Sequence, residues 1–250
     1  MLISVLMGVY NGAATVDAAI ESIVAQTLGD WELLIVEDGS TDDTREHLAR
    51  YTDPRIRVLH NERNLGLAAS LNLAFRSSSG ELVARMDADD VALPHRLEVQ
   101  ARFLREHPEI DVVGGWAMHL GETGVMTRPE SHDYMARHAF TENPFIHPTV
   151  MMRRRVLEEL GGYDETNRRG EDYDLWLRGI TRFRYHNLQQ PLIEYRRPTG
   201  PDSRQSADAA YVAWSHGLRN RQPLRGAYGA ARYFAAFALG WLMRSFRRRS

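Results

Sequence analysis

Three carboxylates within four residues, Asp87-Ala88-Asp89-Asp90, follow an apolar run, Glu81-Leu82-Val83-Ala84-Arg85-Met86, with the character of a strand. Carboxylates at alternate positions of a strand end can converge on one hard cation, which prefers oxygen ligands. Mg²⁺ or Mn²⁺ held this way keeps coordination positions open for substrate phosphates. An isolated Asp-x-Asp is more often a solvated turn that caps the next helix, here opened by Pro94, because Asp favours caps and turns. The weight of the motif therefore rests on the polar groups gathered around it.

Two further polar clusters stand at strand ends, Tyr10-Asn11-Gly12 and Glu37-Asp38-Gly39-Ser40. In an open parallel sheet, ligands sit at the carboxyl ends of strands near a topological switch point. A ligand with a ring, hydroxyls and phosphates suits the three clusters together. Tyr10 can lie against a base, Asp38 can accept a base N–H or a ribose hydroxyl, and Asp87 with Asp89 can bind phosphate through a metal. Taken singly, Tyr10 also reads as a half-buried strand-end aromatic and Asp38-Gly39-Ser40 as a tight turn and cap. Farther along, His147 lies between Ile146 and Pro148 and can touch an acceptor, or simply hydrogen-bond into a turn. Glu171 and Asp172 stand where a helix starts, which favours carboxylates regardless of function. Leu175, Trp176 and Leu177 would anchor that helix and hold one carboxylate toward the sheet. No Gly-x-Gly-x-x-Gly follows the first strand and the chain has no lysine, so dinucleotide and P-loop binding are unsupported.

These groups require a scaffold of alternating strands and helices, the signature of a mostly parallel sheet flanked by helices. Residues 2–10 and 31–36 are continuous apolar runs suited to buried strands. Helical spacing runs through Val16, Ala19, Ile20, Ile23 and Val24, and again through Leu67, Leu71 and Phe75. A third strand is expected over 55–60, and a helix after Pro94 through Leu97, Ala101 and Leu104. Residues 111–120 read as a strand with a bulge or close backbone approach at Gly114-Gly115. Residues 121–131 read as a mobile loop at the site mouth. Residues 149–153 read as a strand, 183–188 and 192–197 as two closing strands, and the chain beyond Ser203 as helical.

The chain has 250 residues and no cysteine, which excludes a disulfide framework and thiolate metal sites. All 31 basic residues are arginine, and eight of them fall between Arg219 and Ser250 with no acid among them. The body is correspondingly acidic, which argues against a duplex nucleic-acid partner. The N-terminus enters a strand pattern at once, so a cytosolic chain without a secretion signal is expected. The uncharged run Tyr233–Met243 is shorter than the ~20 residues that span a bilayer. Tyr228, Ala231, Phe234, Ala235, Ala238 and Leu242 mark one apolar face, and Arg244, Arg247, Arg248 and Arg249 follow. This tail suits either the surface of an anionic leaflet or packing against the body.

In this order the motifs resemble a family 2 inverting glycosyltransferase of the GT-A fold. They are Val9-Tyr10-Asn11-Gly12, Gln26-Thr27 with Trp31–Asp42, Asn64-Leu65-Gly66, Arg85–Asp90, His147-Pro148, Gly161-Gly162-Tyr163-Asp164 and Glu171–Leu177. The resemblance spans about residues 1–198 and is nearest the bacterial exopolysaccharide and O-antigen branch, the amylovoran-synthesis type included. It implies a GT-A domain over 1–200, with a nucleotide-sugar half of about 1–110 and an acceptor half of about 111–200, then a helical basic tail over 201–250. It implies a nucleotide-sugar donor, typically a UDP-hexose, at Val9, Tyr10, Asn11, Asp38, Gly66, Asp87 and Ala88. It further implies Mn²⁺ or Mg²⁺ at Asp87 and Asp89, Asp172 as general base, and His147, Glu171 and Trp176 on the acceptor side. The acceptor would be a glycan or lipid-linked oligosaccharide at the inner face of the cytoplasmic membrane. The Gln-x-x-Arg-Trp signature of processive synthases is missing, which implies one sugar per encounter, and Pro198 replaces a histidine frequent in the family. A metal-dependent nucleotidyltransferase, releasing diphosphate from a triphosphate, and a non-catalytic nucleotide-sugar-binding subunit are the competing readings. A haloacid-dehalogenase-type phosphatase wants its Asp pair after an early strand with a following threonine, and Asp87–Val91 lacks that.

Overall fold

The computed structural model describes residues 2–167, 170–197, 203–220, 222–233 and 235. Strands β1 (Ile3–Val9), β2 (Trp31–Glu37), β3 (Ile56–His60) and β4 (Leu82–Arg85) are joined by helices α1 (Val16–Val24), α2 (Thr44–Leu48) and α3 (Leu67–Ser77). They pair in parallel in the order β3-β2-β1-β4. The apolar runs are continuous because helices cover both faces. Ile3, Val5, Met7 and Val9 of β1, with Trp31, Leu33 and Ile35 of β2, pack on one face against α1 and α4 (Arg96–Glu106). Leu6, Leu34 and Val36 pack on the other against α3. The period of two along each strand divides the core into these two layers.

Beyond β4 the sheet is mixed. β8 (Met151–Arg153) inserts antiparallel between β4 and β6 (Val112–His119), and β9 (Tyr185–Tyr195) runs parallel to β6. The short β5 (Val91–Ala92) pairs with the end of β9. The two strands expected over 183–188 and 192–197 are one strand instead. Pro191 is tolerated because it falls opposite Trp116 within the register shift of β6 and β9. Gly114 and Gly115 permit that approach: a Cβ on either would come within 2.4 Å of Asn187 Oδ1 or 2.5 Å of Leu192 Cδ1. The segment expected as a loop over 121–131 is largely irregular, with β7 (Val125–Met126) pairing with β6 inside it. Asn187 then pins the next residues by donating from Nδ2 to the Pro129 carbonyl (2.8 Å) and from its backbone N–H to the Glu130 carbonyl (3.1 Å).

Helices α5 (His132–His138), α6 (Arg154–Leu160) and α7 (Glu171–Gly179) precede β9, and after it come α8 (Ser203–Arg219) and a helical stretch over 223–233. Val212 and Ala213 of α8 are buried in the core layer that contains Tyr173 and Trp176, so this part of the tail packs on the body. Phe234, Ala238, Leu242 and Arg244 to Arg249 lie outside the described residues, as do Pro198 and residues 199–202 of the loop.

The Glu37–Ser40 turn depends on one glycine. Gly39 has φ 71°, and a Cβ there would lie 2.6 Å from the Arg63 carbonyl carbon and 2.7 Å from the Asn64 nitrogen. Gly39→Ala is expected to cost at least about 2 kcal/mol, combining left-handed strain with overpacking against backbone. Urea unfolding measures this; an unchanged midpoint would show that the turn rearranges freely.

Candidate functional site

Strands β1 and β4 lie side by side while their connections lead to opposite sides, so the switch point falls between their carboxyl ends. The first two polar clusters meet there because β1 and β2 pair in register, Val9 opposite Glu37. Asn11, at φ 52°, accepts the Thr41 N–H on Oδ1 (2.8 Å), and its own N–H donates to Ser40 Oγ (3.0 Å). Asp38 is 3% exposed, and its backbone N–H donates to the Val9 carbonyl. Its Oδ1 accepts from Asn61 Nδ2 (2.7 Å) and Leu65 N–H (2.9 Å), and its Oδ2 from Gly66 N–H (2.9 Å). Asp38 thus fixes the Asn64-Leu65-Gly66 turn, and Oδ2 keeps a lone pair. Tyr10, next to Asn11, is 48% exposed.

The acidic run leaves β4 between β1 and β8. Met86 N–H donates to the Leu6 carbonyl, and the buried Arg96 donates from Nη2 to the Arg85 carbonyl (2.6 Å). Arg85 is 3% exposed and ion-paired with Asp87; burial works against its charge, and Asp87 outweighs that. The carboxylates of Asp87, Asp89 and Asp90 each place an oxygen within 4.8 Å of the others. Asp90, absent from the expected metal pair, is 1% exposed. Its Oδ1 accepts the Arg196 N–H (2.8 Å), while Oδ2 is buried without a hydrogen-bond partner among the described residues. Burial and the Asp87 charge push its pKa up to about 8, and burial with Asp87 also raises Asp89. Three converging carboxylates with one orphaned oxygen form an all-oxygen donor set that fits a divalent cation. Ala88, half-buried, packs on the core beneath them.

A cavity of about 640 Å³ joins this run to α7, lined by Arg85, Asp87, His147, Glu171 and Asp172 among others. Its volume is that of a small-molecule site. Leu67, next to Gly66, is among its lining residues, and Tyr10, Asn11 and Asp38 are not. Gly170, at φ 72°, opens α7 and puts Glu171 and Asp172 in its first turn. The helix is held by Tyr173, which donates to the Ala139 carbonyl (2.6 Å), and by Arg178, which pairs with the buried Asp174 (2.7 Å) and donates to the Leu160 and Gly162 carbonyls. Asn143 Nδ2 donates to Asp172 Oδ2 (2.9 Å). Burial raises the Asp172 carboxyl, opposed by that hydrogen bond, and burial plus the Asp172 charge pushes Glu171 up to about 7.

His147 lines the cavity, with Nε2 hydrogen-bonded to the Tyr163 hydroxyl (3.0 Å); burial and the Arg85 charge depress its pKa well below the usual range, so it is neutral. Trp176, expected on the acceptor side, sits instead in the core, 1% exposed and edge-on to Phe145. Asn143, Arg85 and Arg128 line the cavity, and none of them was expected as a site residue. Only Arg85, two residues before Asp87, carried a sequence signal. Asp208, Ala209 and Tyr233 bring the tail to the same cavity.

Residues 4–161 match the family model described as Glycosyl transferase family 2. EpsE of Bacillus subtilis (strain 168), a glycosyltransferase by name, is 38% identical over 239 residues, covering 89% of this chain and 84% of its own. The O-antigen biosynthesis glycosyltransferase WbnJ of Escherichia coli is 33% identical over 226 residues, covering 87% and 88%. Among solved structures, S. aureus TarS 1–349 in complex with UDP-GlcNAc superposes with a TM-score of 0.75 at 21% identity, covering 94% of this chain and 72% of TarS. The GT-A fold is shared with that structure.

Proposed function

Because the chain belongs to glycosyltransferase family 2, we propose that it moves one sugar from a UDP-hexose to a hydroxyl of a glycan or lipid-linked acceptor, with inversion, in cell-surface polysaccharide synthesis. The observation that carries this reading is the single cavity lined by both Asp87 and the Glu171-Asp172 pair. Donor groups occupy about residues 1–110 and acceptor groups about 111–200. The base lies against Tyr10 and Asp38, with Val9, Asn11, Gly66 and Ala88 shaping the backbone around it, and the diphosphate lies at the acidic run. Asp87 and Asp89, with Asp90 beside them, would hold Mn²⁺ or Mg²⁺, which when bound supplies positive charge to the diphosphate. The ligand of the TarS complex is UDP-GlcNAc, which supports a UDP-linked donor here.

Asp172 takes the proton of the acceptor hydroxyl as that oxygen bonds to the anomeric carbon. The bond from that carbon to the diphosphate breaks on the opposite side, and the nucleoside diphosphate leaves with the electron pair. Glu171, whose carboxyl is pushed up to about 7 by burial and by Asp172, stands beside the base, and neutral His147 lends the acceptor a hydrogen-bonding wall. A panel of nucleotide sugars with Mn²⁺, scored for thermal protection and donor hydrolysis, tests the assignment. Release of nucleoside diphosphate supports it; release of inorganic diphosphate from a triphosphate would replace it with nucleotidyl transfer.

Asn143 has a measurable part in this. Its amide favours the ionised form of Asp172, so Asn143→Ala is expected to move the acid limb of the pH–rate profile upward and to lower turnover at pH 7 by ~10-fold. An unmoved limb would remove Asn143 from the mechanism.

A further inference from the structure

The helices that wall the cavity carry a second surface on their outer sides. α8 turns Asp208 and Ala209 to the cavity and buries Val212 and Ala213. Its opposite face shows Tyr211, Trp214 and Leu218, exposed by 64%, 42% and 51%. Their spacing of three and four places them on one stripe. The stretch over 223–233 adds Leu224 and Tyr228, exposed by 85% and 65%. Among the described residues, half of the large exposed apolar side chains therefore fall between positions 211 and 228. Such concentration marks an interaction surface, unlike singly scattered residues.

The occupant follows from charge and residue type. From Arg219 onward the sequence holds eight arginines and no acid, and the one acid of α8, Asp208, faces the cavity. A second copy of this chain would bring two such cationic tails together, which like-charge repulsion opposes. An anionic bilayer surface complements the charge, and Tyr and Trp favour its interface. No helix among the described residues is long and apolar enough to cross a membrane, so the surface would lie on it. We propose that Tyr211, Trp214, Leu218, Leu224 and Tyr228 seat the protein on an anionic membrane. The cavity wall formed by the same two helices then stands beside the lipid phase. This deepens the reading of a lipid-linked acceptor and rests on it for its purpose; its test requires no sugar transfer.

Full-length protein is sedimented with vesicles of equimolar phosphatidylglycerol and phosphatidylcholine, and with vesicles of phosphatidylcholine alone. Binding is expected only to the anionic vesicles and to weaken with salt. Tyr211→Ser/Trp214→Ser/Leu218→Ser is expected to lower partitioning by at least ~10-fold while keeping the wild-type unfolding temperature. In a Trp241→Phe background, brominated lipid should quench tryptophan emission, and the further change Trp214→Phe should spare it. Undiminished partitioning of the triple variant, or equal quenching with and without Trp214 in the Trp241→Phe background, would overturn the stripe as the contact. So would a wild-type dimer that the triple variant splits with no change in vesicle binding, which makes the stripe a protomer interface. Vesicle binding that persists in a chain shown to release inorganic diphosphate would overturn the transferase reading and leave this surface standing.

Discussion

Asp172→Asn is expected to bind UDP with wild-type affinity and to lose sugar transfer by at least ~10²-fold. The amide keeps the size of the carboxylate and most of its packing in the first turn of α7, and it removes the only proton acceptor assigned to the reaction. The site tunes that acceptor in two opposed ways. Burial lifts the Asp172 carboxyl above the ordinary aspartate range, and Asn143 pulls it back. Glu171, lifted to about 7 by burial and by Asp172, adds a like charge beside it as pH rises. Transfer needs Asp172 ionised, so the rate should fall as pH drops through the raised range of the pair, nearer neutrality than for a solvated aspartate. Glu171→Gln removes the like charge and should shift that acid limb downward. Near-wild-type turnover in Asp172→Asn would refute the base assignment, whatever the outcome for Glu171.

The parts of this arrangement that could be read from sequence are those set by local pattern. The runs at residues 2–10 and 31–36 are apolar throughout because both faces of β1 and β2 are covered, and their polar ends meet because parallel strands share a carboxyl edge. Longer-range features were hidden for definite reasons. β9 looked like two strands because Gln189, Gln190 and Pro191 interrupt it, and only the glycines of β6, some 75 residues earlier, make that interruption tolerable. α5 buries one side chain alone, Met135, so it left no apolar period. Asn143 reaches Asp172 across 29 positions, and no spacing rule connects them. Trp176 misled in the other direction. It shares a helix face with Asp172 at a separation of four, yet Phe145 and Tyr185 close over it and the ring is core. Tyr233 and Asp208 reach the cavity from beyond residues 4–161, the stretch that matches the family model.

Chelation of divalent cations is expected to weaken UDP binding by at least ~10-fold in the wild type, and Asp89→Ala is expected to show that weaker affinity with or without EDTA. Asp87, Asp89 and Asp90 crowd three carboxylates together, and Arg85 is committed to Asp87. Burial and like charge raise Asp90 to about 8, so below that pH the folded chain holds a proton that the unfolded chain has released. Protons bound preferentially by the folded state mean that stability falls as pH rises, from the ordinary aspartate range up through about 8. A cation competes with that proton and supplies the missing charge, so Mn²⁺ should raise the unfolding temperature more at pH 8 than at pH 5. Asp89→Ala removes one oxygen donor from the exposed side and should flatten the Mn²⁺ response without exposing core. Asp89 is the informative position for that reason, since Asp90 also holds the Arg196 backbone and its loss would loosen the end of β9. UDP affinity indifferent to EDTA in the wild type, together with an unfolding temperature that Mn²⁺ does not move at pH 8, would remove the cation from this site and leave Arg85 and Arg128 as the remaining cationic side chains that line the cavity.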